Sequence, residues 1–398
     1  MRTIVEIDKH HSFYLSVVLL LLLSLCLSAC APNTGLLAGG DWQVSGLQHQ
    51  HIHVLEVGFN NTQLLYAGDT QQGVFASADS GLHWTQQSTG LPLPIDVYAL
   101  SFDTTGKKLY VATDKGLFVS NDAAQHWQAV GTGLPADMYT ALAFDSNAPH
   151  TIYAGTIRHG VLVSTNDGAS WSPSGSGFPT NDAINGLTFD PVQHQLWAAT
   201  SLGIYRFDER DATWQAFNAG LPTGTIAYTV QVAFLSGGEQ GLLFAGTNHG
   251  FFRSQDAGAH WTSSEESLLG ISVRAILIDF RSPTTIYIAT NIGALRSDDS
   301  GQYWRGIGPG LPRDKPVYAL KLGASNYSQL YATADDVYLF PGTSSGIGFT
   351  HLVPIALVLI FFYLLYRIAL RGRNRRGETL KPERTGEPPA PPSSHDAG

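Results

Sequence analysis

The chain has 398 residues, 42 of them glycine, and a formal net charge of -9. Residues 31–350 carry 14 Lys+Arg against 26 Asp+Glu, and residues 351–398 carry 7 against 4. An acidic body argues against nucleic-acid binding and against electrostatic attraction to anionic lipid. The only cysteines are Cys26 and Cys30, so no disulfide framework and no thiolate metal site is expected beyond the first thirty residues.

Residues 1–30 read as an export signal. Arg2 and Lys9 precede an apolar run from Tyr14 to Leu27. The run ends at Leu27-Ser28-Ala29-Cys30, which resembles the bacterial lipobox. That resemblance implies lipidation of Cys30, while cleavage after Ala31 or an uncleaved anchor are the alternatives. Residues 31–40 then read as a tether.

The body is organised around one octapeptide, S-x-D-x-G-x-x-W. Full copies are Ser77, Asp79, Gly81 and Trp84; Ser254, Asp256, Gly258 and Trp261; and Ser297, Asp299, Gly301 and Trp304. Ser120, Asp122 and Trp127 form a copy with Ala124 in the glycine slot. Ser164, Asn166, Gly168 and Trp171 form one with asparagine for aspartate, and Asp208 to Trp214 is degenerate. The mechanism is local. Asp and Ser accept backbone N–H bonds in a tight turn, Gly supplies the positive φ, and Trp buries a large ring. A hairpin is expected at each copy, with a structural role.

Tryptophans 42, 84, 127, 171, 214, 261 and 304 are 42, 43, 44, 43, 47 and 43 residues apart. A period near 43 suits a four-stranded propeller blade. Each period carries a Gly-Leu-Pro turn (varied by Phe178), a first strand closing in Phe-Asp, a second strand such as Leu109–Thr113, and a third such as Gly73–Ser77. First strands are expected near Ile52, Val97, Ala141, Ile184, Val230, Val273 and Val317. The last period lacks a tryptophan strand and the first has a spare one at Asp41–Val44. The fold expected is therefore all-β: a single seven-bladed propeller over 41–340, closed by the N-terminal strand, which leaves no open sheet edge.

Residues 341–350 read as a linker. Residues 352–370 are apolar apart from Arg367; at about 1.5 Å per residue they reach roughly 28 Å, enough for a transmembrane helix. Arg371, Arg373, Arg375 and Arg376 follow. By the positive-inside rule they place the tail, 371–398, in the cytoplasm and the propeller outside. The tail is basic, then proline-rich, and is expected to be disordered.

The octapeptide resembles the Asp-box of the BNR repeat, found in sialidases, sortilin-type receptors, xyloglucanases and the photosystem II assembly/stability factor. The resemblance covers the repeats and implies a propeller whose boxes lie away from the ligand face. Ligands of such propellers sit where the fourth-to-first and second-to-third strand loops gather. Aligning the first strands on their shared leucine or isoleucine puts His53, Tyr98, Thr140, Asn185, Val230, Arg274 and Tyr318 in one ring. This ring is the candidate binding rim; half-exposed strand ends without a ligand are the alternative. His49, His51 and His53 alternate on one face of a strand, a pattern that suits a metal or plain solvated histidines. Arg158-His159 and Asn248-His249 occupy equivalent second-to-third-strand turns on the same face and are candidates for partner contact, or simply polar loop residues.

Two functions follow. The first is a membrane-tethered, extracytoplasmic, non-catalytic module that docks a membrane or extracytoplasmic protein partner as an assembly or stability scaffold, with no cofactor. The second is a glycan-binding protein or glycosidase. Against the second, the nearest match to the sialidase Phe/Tyr-Arg-Ile-Pro motif is Phe280-Arg281-Ser282-Pro283. The acids recur at blade positions (Asp103, Asp145, Asp190, Asp279), as turn residues would, rather than as the isolated carboxylate pair of glycoside hydrolysis.

Overall fold

The computed structural model describes residues 41–341 other than 49, 60, 62, 180, 234–241, 265–267 and 324–328. The chain divides into two compact units, Met1–Thr343 and Ser344–Gly398, and every described residue belongs to the first. The export signal with Cys30, the tether, the apolar span 352–370 and the tail lie outside the described residues. Among those residues no helix is long and apolar enough to cross a membrane.

The described elements are β-strands in antiparallel groups of four. The sixth group, for example, runs Val273–Ile278, Ile286–Thr290, Gly293–Ser297 and Arg305–Gly306. The first two groups are linked by pairing of Thr70 with Asp96 and Gln71 with Ile95. In the last group the fourth strand comes from the other end of the sequence: Gln43 pairs with Leu339 and Val44 with Tyr338.

First strands are Ile52–Val57, Ile95–Phe102, Tyr139–Phe144, Ile184–Asp190, Ala227–Ala233, Val273–Ile278 and Ala319–Leu322. Each lies beside the next, and Ala319–Leu322 lies beside Ile52–Val57. Second strands such as Leu109–Thr113, Ile152–Thr156 and Ile286–Thr290 are buried throughout. A strand covered on both faces needs a continuous run of small and β-branched residues, and Ile-Tyr-Ala-Gly-Thr and Ile-Tyr-Ile-Ala-Thr are such runs.

The core lies between successive sheets rather than within one. Tyr66 and Val74 of the first group pack with Val97, Leu109 and Trp127 of the second. Tyr287 and Ala289 of the sixth pack with Trp42, Val317 and Tyr338 of the last. Ile52, Leu55 and Phe75 of the first pack with Tyr331 and Val337 of the last.

The octapeptides form the expected turns. In the first, Ser77 Oγ donates to Asp79 Oδ1 at 2.8 Å and accepts Gly81 N–H at 2.9 Å, while Asp79 Oδ1 accepts His83 N–H at 2.9 Å. The same serine bonds recur at Ser120, Ser164, Ser254 and Ser297. Gly81 sits at φ 89° and the residue before it, Ser80, at 61°. In the second copy Ala124, fully buried, takes the glycine slot at φ 70°.

Several tryptophans reach backward by a full repeat. Trp127 Nε1 donates to Gln87 O at 2.8 Å, Trp214 Nε1 to Ser174 Oγ at 3.1 Å, and Trp261 Nε1 to Phe217 O at 2.8 Å. Trp42 does the same between the two ends of the domain, donating to Ile307 O at 2.6 Å.

Candidate functional site

In six first strands the pairing with the second strand slips at one place. The breaks fall between Ile52 and Val54, Val97 and Ala99, Tyr139 and Ala141, Ile184 and Gly186, Ala227 and Thr229, and Val273 and Ala275. Each is a β-bulge, an extra residue that breaks the alternation and re-aims a side chain. The extra residues are His53, Tyr98, Thr140, Asn185, Tyr228 and Arg274. Tyr318 occupies the matching place in the last group, its N–H bonded to Thr333 O at 2.8 Å. All seven are half-buried.

Six of the residues expected on the rim stand in this ring, and the seventh does not. Val230 is a core residue, 1% exposed, among Ala227, Leu243 and Trp261. The fifth first strand begins at Ala227, so the equivalent residue is Tyr228. The physical reason is the bulge: it leaves apolar residues at both ends of a three-residue step, and Ala227 is too small to stand out as the leading one.

The register fixes where the ring lies. Ile52 at the start of a first strand pairs with Asp69 at the end of the second. The bulges therefore sit at the end with the fourth-to-first and second-to-third connections, opposite the octapeptide turns. At this end a repeated latch ties the two connections together. His51 N–H donates to Asp69 Oδ2 at 2.9 Å, Asp96 N–H to Asp114 Oδ1 at 2.9 Å, Ile226 N–H to Asn248 Oδ1 at 2.8 Å, and Ser272 N–H to Asn291 Oδ1 at 3.0 Å. Sequence reasoning missed this latch, though an Asp or Asn at the close of the second strand marks it. Asn248, a candidate for partner contact, is one of the latches.

Ring residues also bridge neighbouring first strands. Asn185 Nδ2 donates to Ala227 O at 2.8 Å, and Thr140 Oγ1 to Ile184 O. Tyr98 OH lies 3.5 Å from Asp96 Oδ2 and 3.8 Å from Met138 Sδ. On the other side of the ring the residues touch one another. The His53 ring stacks on Tyr318 with centroids 3.9 Å apart. The Arg274 guanidinium lies 5.4 Å from the Tyr318 centroid and 5.3 Å from that of Tyr228. Tyr228, Arg274, Tyr318 and His53 thus form a continuous run across four successive first strands. Burial holds the His53 pKa below its usual value, against the opposing pull of Asp335.

The remaining candidates resolve as follows. Arg158 and His159 clamp Asp137, whose side chain is fully buried: His159 Nδ1 is 2.7 Å from Oδ2, and Arg158 N–H donates to the same oxygen at 3.0 Å. Burial raises the Asp137 pKa, but these hydrogen bonds outweigh it and hold the carboxyl below its usual range. His49 lies outside the described residues, and among those residues no group of three His, Cys, Asp or Glu could hold a metal ion. The recurrent acids are turn acceptors: Asp103 takes Lys107 and Lys108 N–H, Asp145 takes Asn147 N–H, Asp190 takes Val192 N–H and Asp279 takes Arg281 N–H.

No protein-family profile and no curated protein matches the chain. Solved structures do. The extracellular domain of a hybrid two-component system of B. thetaiotaomicron is 14% identical over 77% of this chain, with a TM-score of 0.63. This chain spans 40% of that one. YCF48 bound to D1 peptide is 15% identical, covering 78% of this chain and 98% of its own, with a TM-score of 0.59. The GH74 xyloglucanase of Xanthomonas campestris is 14% identical over 75% of this chain and 53% of its own, with a TM-score of 0.58. At these identities the likeness shows the fold alone, an all-β repeat propeller.

Proposed function

We propose that the chain is a non-catalytic docking module: a closed seven-bladed propeller over 41–340, held outside the cytoplasm by the 352–370 helix and a lipid on Cys30, that binds a protein partner at its bulged end. The observation that carries this reading is the bulge recurring at one height in first strand after first strand. A core needs no bulge; a repeated one turns a ring of polar and aromatic residues out of the sheets, and bulges gather where a side chain has to be re-aimed. The engagement of Asp103, Asp145, Asp190 and Asp279 as turn acceptors favours binding over hydrolysis. An extracellular domain and a peptide-bound propeller among the structural neighbours support the topology and the mode. The xyloglucanase neighbour keeps glycan binding as the second reading.

The test is site-specific photo-crosslinking of the full-length protein in its own membrane, with the crosslinker at Tyr98 or Asn185 on the ring and at Gln302 on the opposite end. One protein captured from the ring positions and absent from Gln302 is the expected result. Capture from Gln302 alone, or none from the ring, sinks the docking reading, and a soluble-glycan binding screen of the same protein then decides the second.

A further inference from the structure

The run Tyr228, Arg274, Tyr318 and His53 contains a cation whose hydrogen-bonding edge is unanswered. Arg274 Nε is buried and has no acceptor among the described residues. Arg274 takes part in none of the ion pairs found there, whereas Arg158, Arg281, Arg296 and Arg305 each have an aspartate. One level further along the first strands the sheets do neutralise a charge, since Lys321 Nζ meets Glu56 Oε2 at 2.6 Å. The acid nearest the His53 end of the run, Asp335, lies 3.9 Å from His53 and is already held by Lys315 at 2.5 Å.

The two tyrosines stand on the first strands to either side of Arg274, so the guanidinium is bracketed by rings. Cation–π contact with the ring faces answers none of its N–H donors, so the planar fork still needs acceptors. A fork with paired in-plane donors matches the two oxygens of a carboxylate. A buried donor without an acceptor is costly, and an acceptor brought by a ligand, or a water, answers it.

We propose that Arg274, bracketed by Tyr228 and Tyr318 and backed by His53, is a subsite for a peptide carboxylate, either a free C-terminus or an Asp or Glu side group. This rests on the docking reading and names the chemistry the partner brings. A single guanidinium in a body with 14 Lys+Arg against 26 Asp+Glu suits one negative charge better than a phosphate carrying two.

The experiment uses the full-length protein in nanodiscs of neutral lipid and three pools of twelve-residue peptides. The first has free C-termini and no Asp or Glu. The second has amidated C-termini and contains Asp and Glu. The third is amidated and lacks both. The first or second pool is expected to be retained about ten-fold over the third, and which one assigns the source of the carboxylate. Arg274→Ala should abolish the preference. Arg274→Lys, which keeps charge and stem but not the fork, should restore less than about a tenth of it. Equal retention of all pools, retention of none, or an unchanged preference in Arg274→Ala overturns the subsite. Capture of the partner through Tyr98 in the Arg274→Lys variant separates the two readings: undiminished capture leaves docking in place and removes the carboxylate requirement.

Discussion

Trp42 donates its indole N–H to the carbonyl of Ile307, 265 residues away in sequence, in the place where Trp127 and Trp261 meet the repeat before their own. Its carbonyl also faces Gly310, where a Cβ would stand 2.4 Å from the oxygen. Gly90 meets Trp127 O, Gly133 meets Trp171 O and Gly220 meets Trp261 O in the same way. The glycine of each Gly-Leu-Pro segment is thus required by the approach of the next tryptophan's backbone. Trp42 is 4% exposed, and Trp42→Ala is expected to destabilise the domain by about 3–5 kcal/mol. Gly310→Ala at φ 112° is expected to cost more than about 1 kcal/mol. Denaturant unfolding of the two variants checks both. If Trp42→Ala left the midpoint unchanged, the N-terminal strand would have no part in holding the last sheet.

The octapeptide aspartates set an acid limb. Asp79 and Asp256 have pKa values lowered to about 2, chiefly by backbone N–H bonds from His83 and His260, and Asp122 to about 2, chiefly by the His126 side chain. A depressed carboxyl contributes stability that is complete above its unfolded pKa and is lost as pH falls through the folded one, here between about 4 and 2. The protein has its own control in Asn166, which keeps the turn by accepting Ser164 Oγ and Ser170 N–H at 2.9 Å without a charge. Replacing Asp79, Asp122 and Asp256 together by Asn is expected to lower the melting temperature at pH 7 and to flatten its fall between about pH 4 and 2. An unchanged acid limb would assign it to other carboxylates.

The repeat was legible because every sheet buries itself against the next by the same contacts, so Trp84, Trp127 and Trp261 recur at nearly constant spacing. The surplus strand at Asp41–Val44 and the turn role of Asp103 or Asp190 followed from that regularity. The ring was less legible. His53, Tyr98, Thr140, Asn185, Arg274 and Tyr318 stood out as polar or aromatic residues in apolar strands, but nothing in the sequence marks a bulge, so Tyr228 was displaced onto Val230. The contact between Tyr228, Arg274 and Tyr318 arises between different sheets and has no local signature. The histidines that cap Asp79, Asp122 and Asp256 do have one, the four-residue step from Asp to His.

His53 gives the ring a pH signature of its own. Burial, ahead of the opposing Asp335, lowers its pKa from the ordinary 6.5. A histidine depressed in the folded state takes its proton first in the unfolded chain, so its contribution to stability falls as pH drops below about 6.5. His53→Gln is expected to reduce the loss of thermal stability between about pH 7 and 5. An NMR titration of the His53 ring should place its midpoint below the ordinary 6.5; a midpoint at or above that value would mean the stack on Tyr318 does not exclude water.

Tyr228 and Val230 separate the observed ring from the one the sequence implied. They are two residues apart on one strand, yet the first brackets Arg274 at 5.3 Å and the second is 1% exposed. Val230→Ala removes about two methyl-sized groups from a closed core and is expected to cost about 2 kcal/mol, with the crosslinking yield at the ring unchanged once the protein is folded. Tyr228→Ala takes one ring from the guanidinium and is expected to leave the unfolding midpoint nearly where it was while reducing capture of the partner. Tyr228→Phe should preserve capture, because the contact with Arg274 is made by the face of the ring and not by the hydroxyl. The opposite pattern, with Tyr228→Ala unfolding the protein and Val230→Ala losing the partner, would return the fifth rim position to Val230 and remove Arg274 from its bracket.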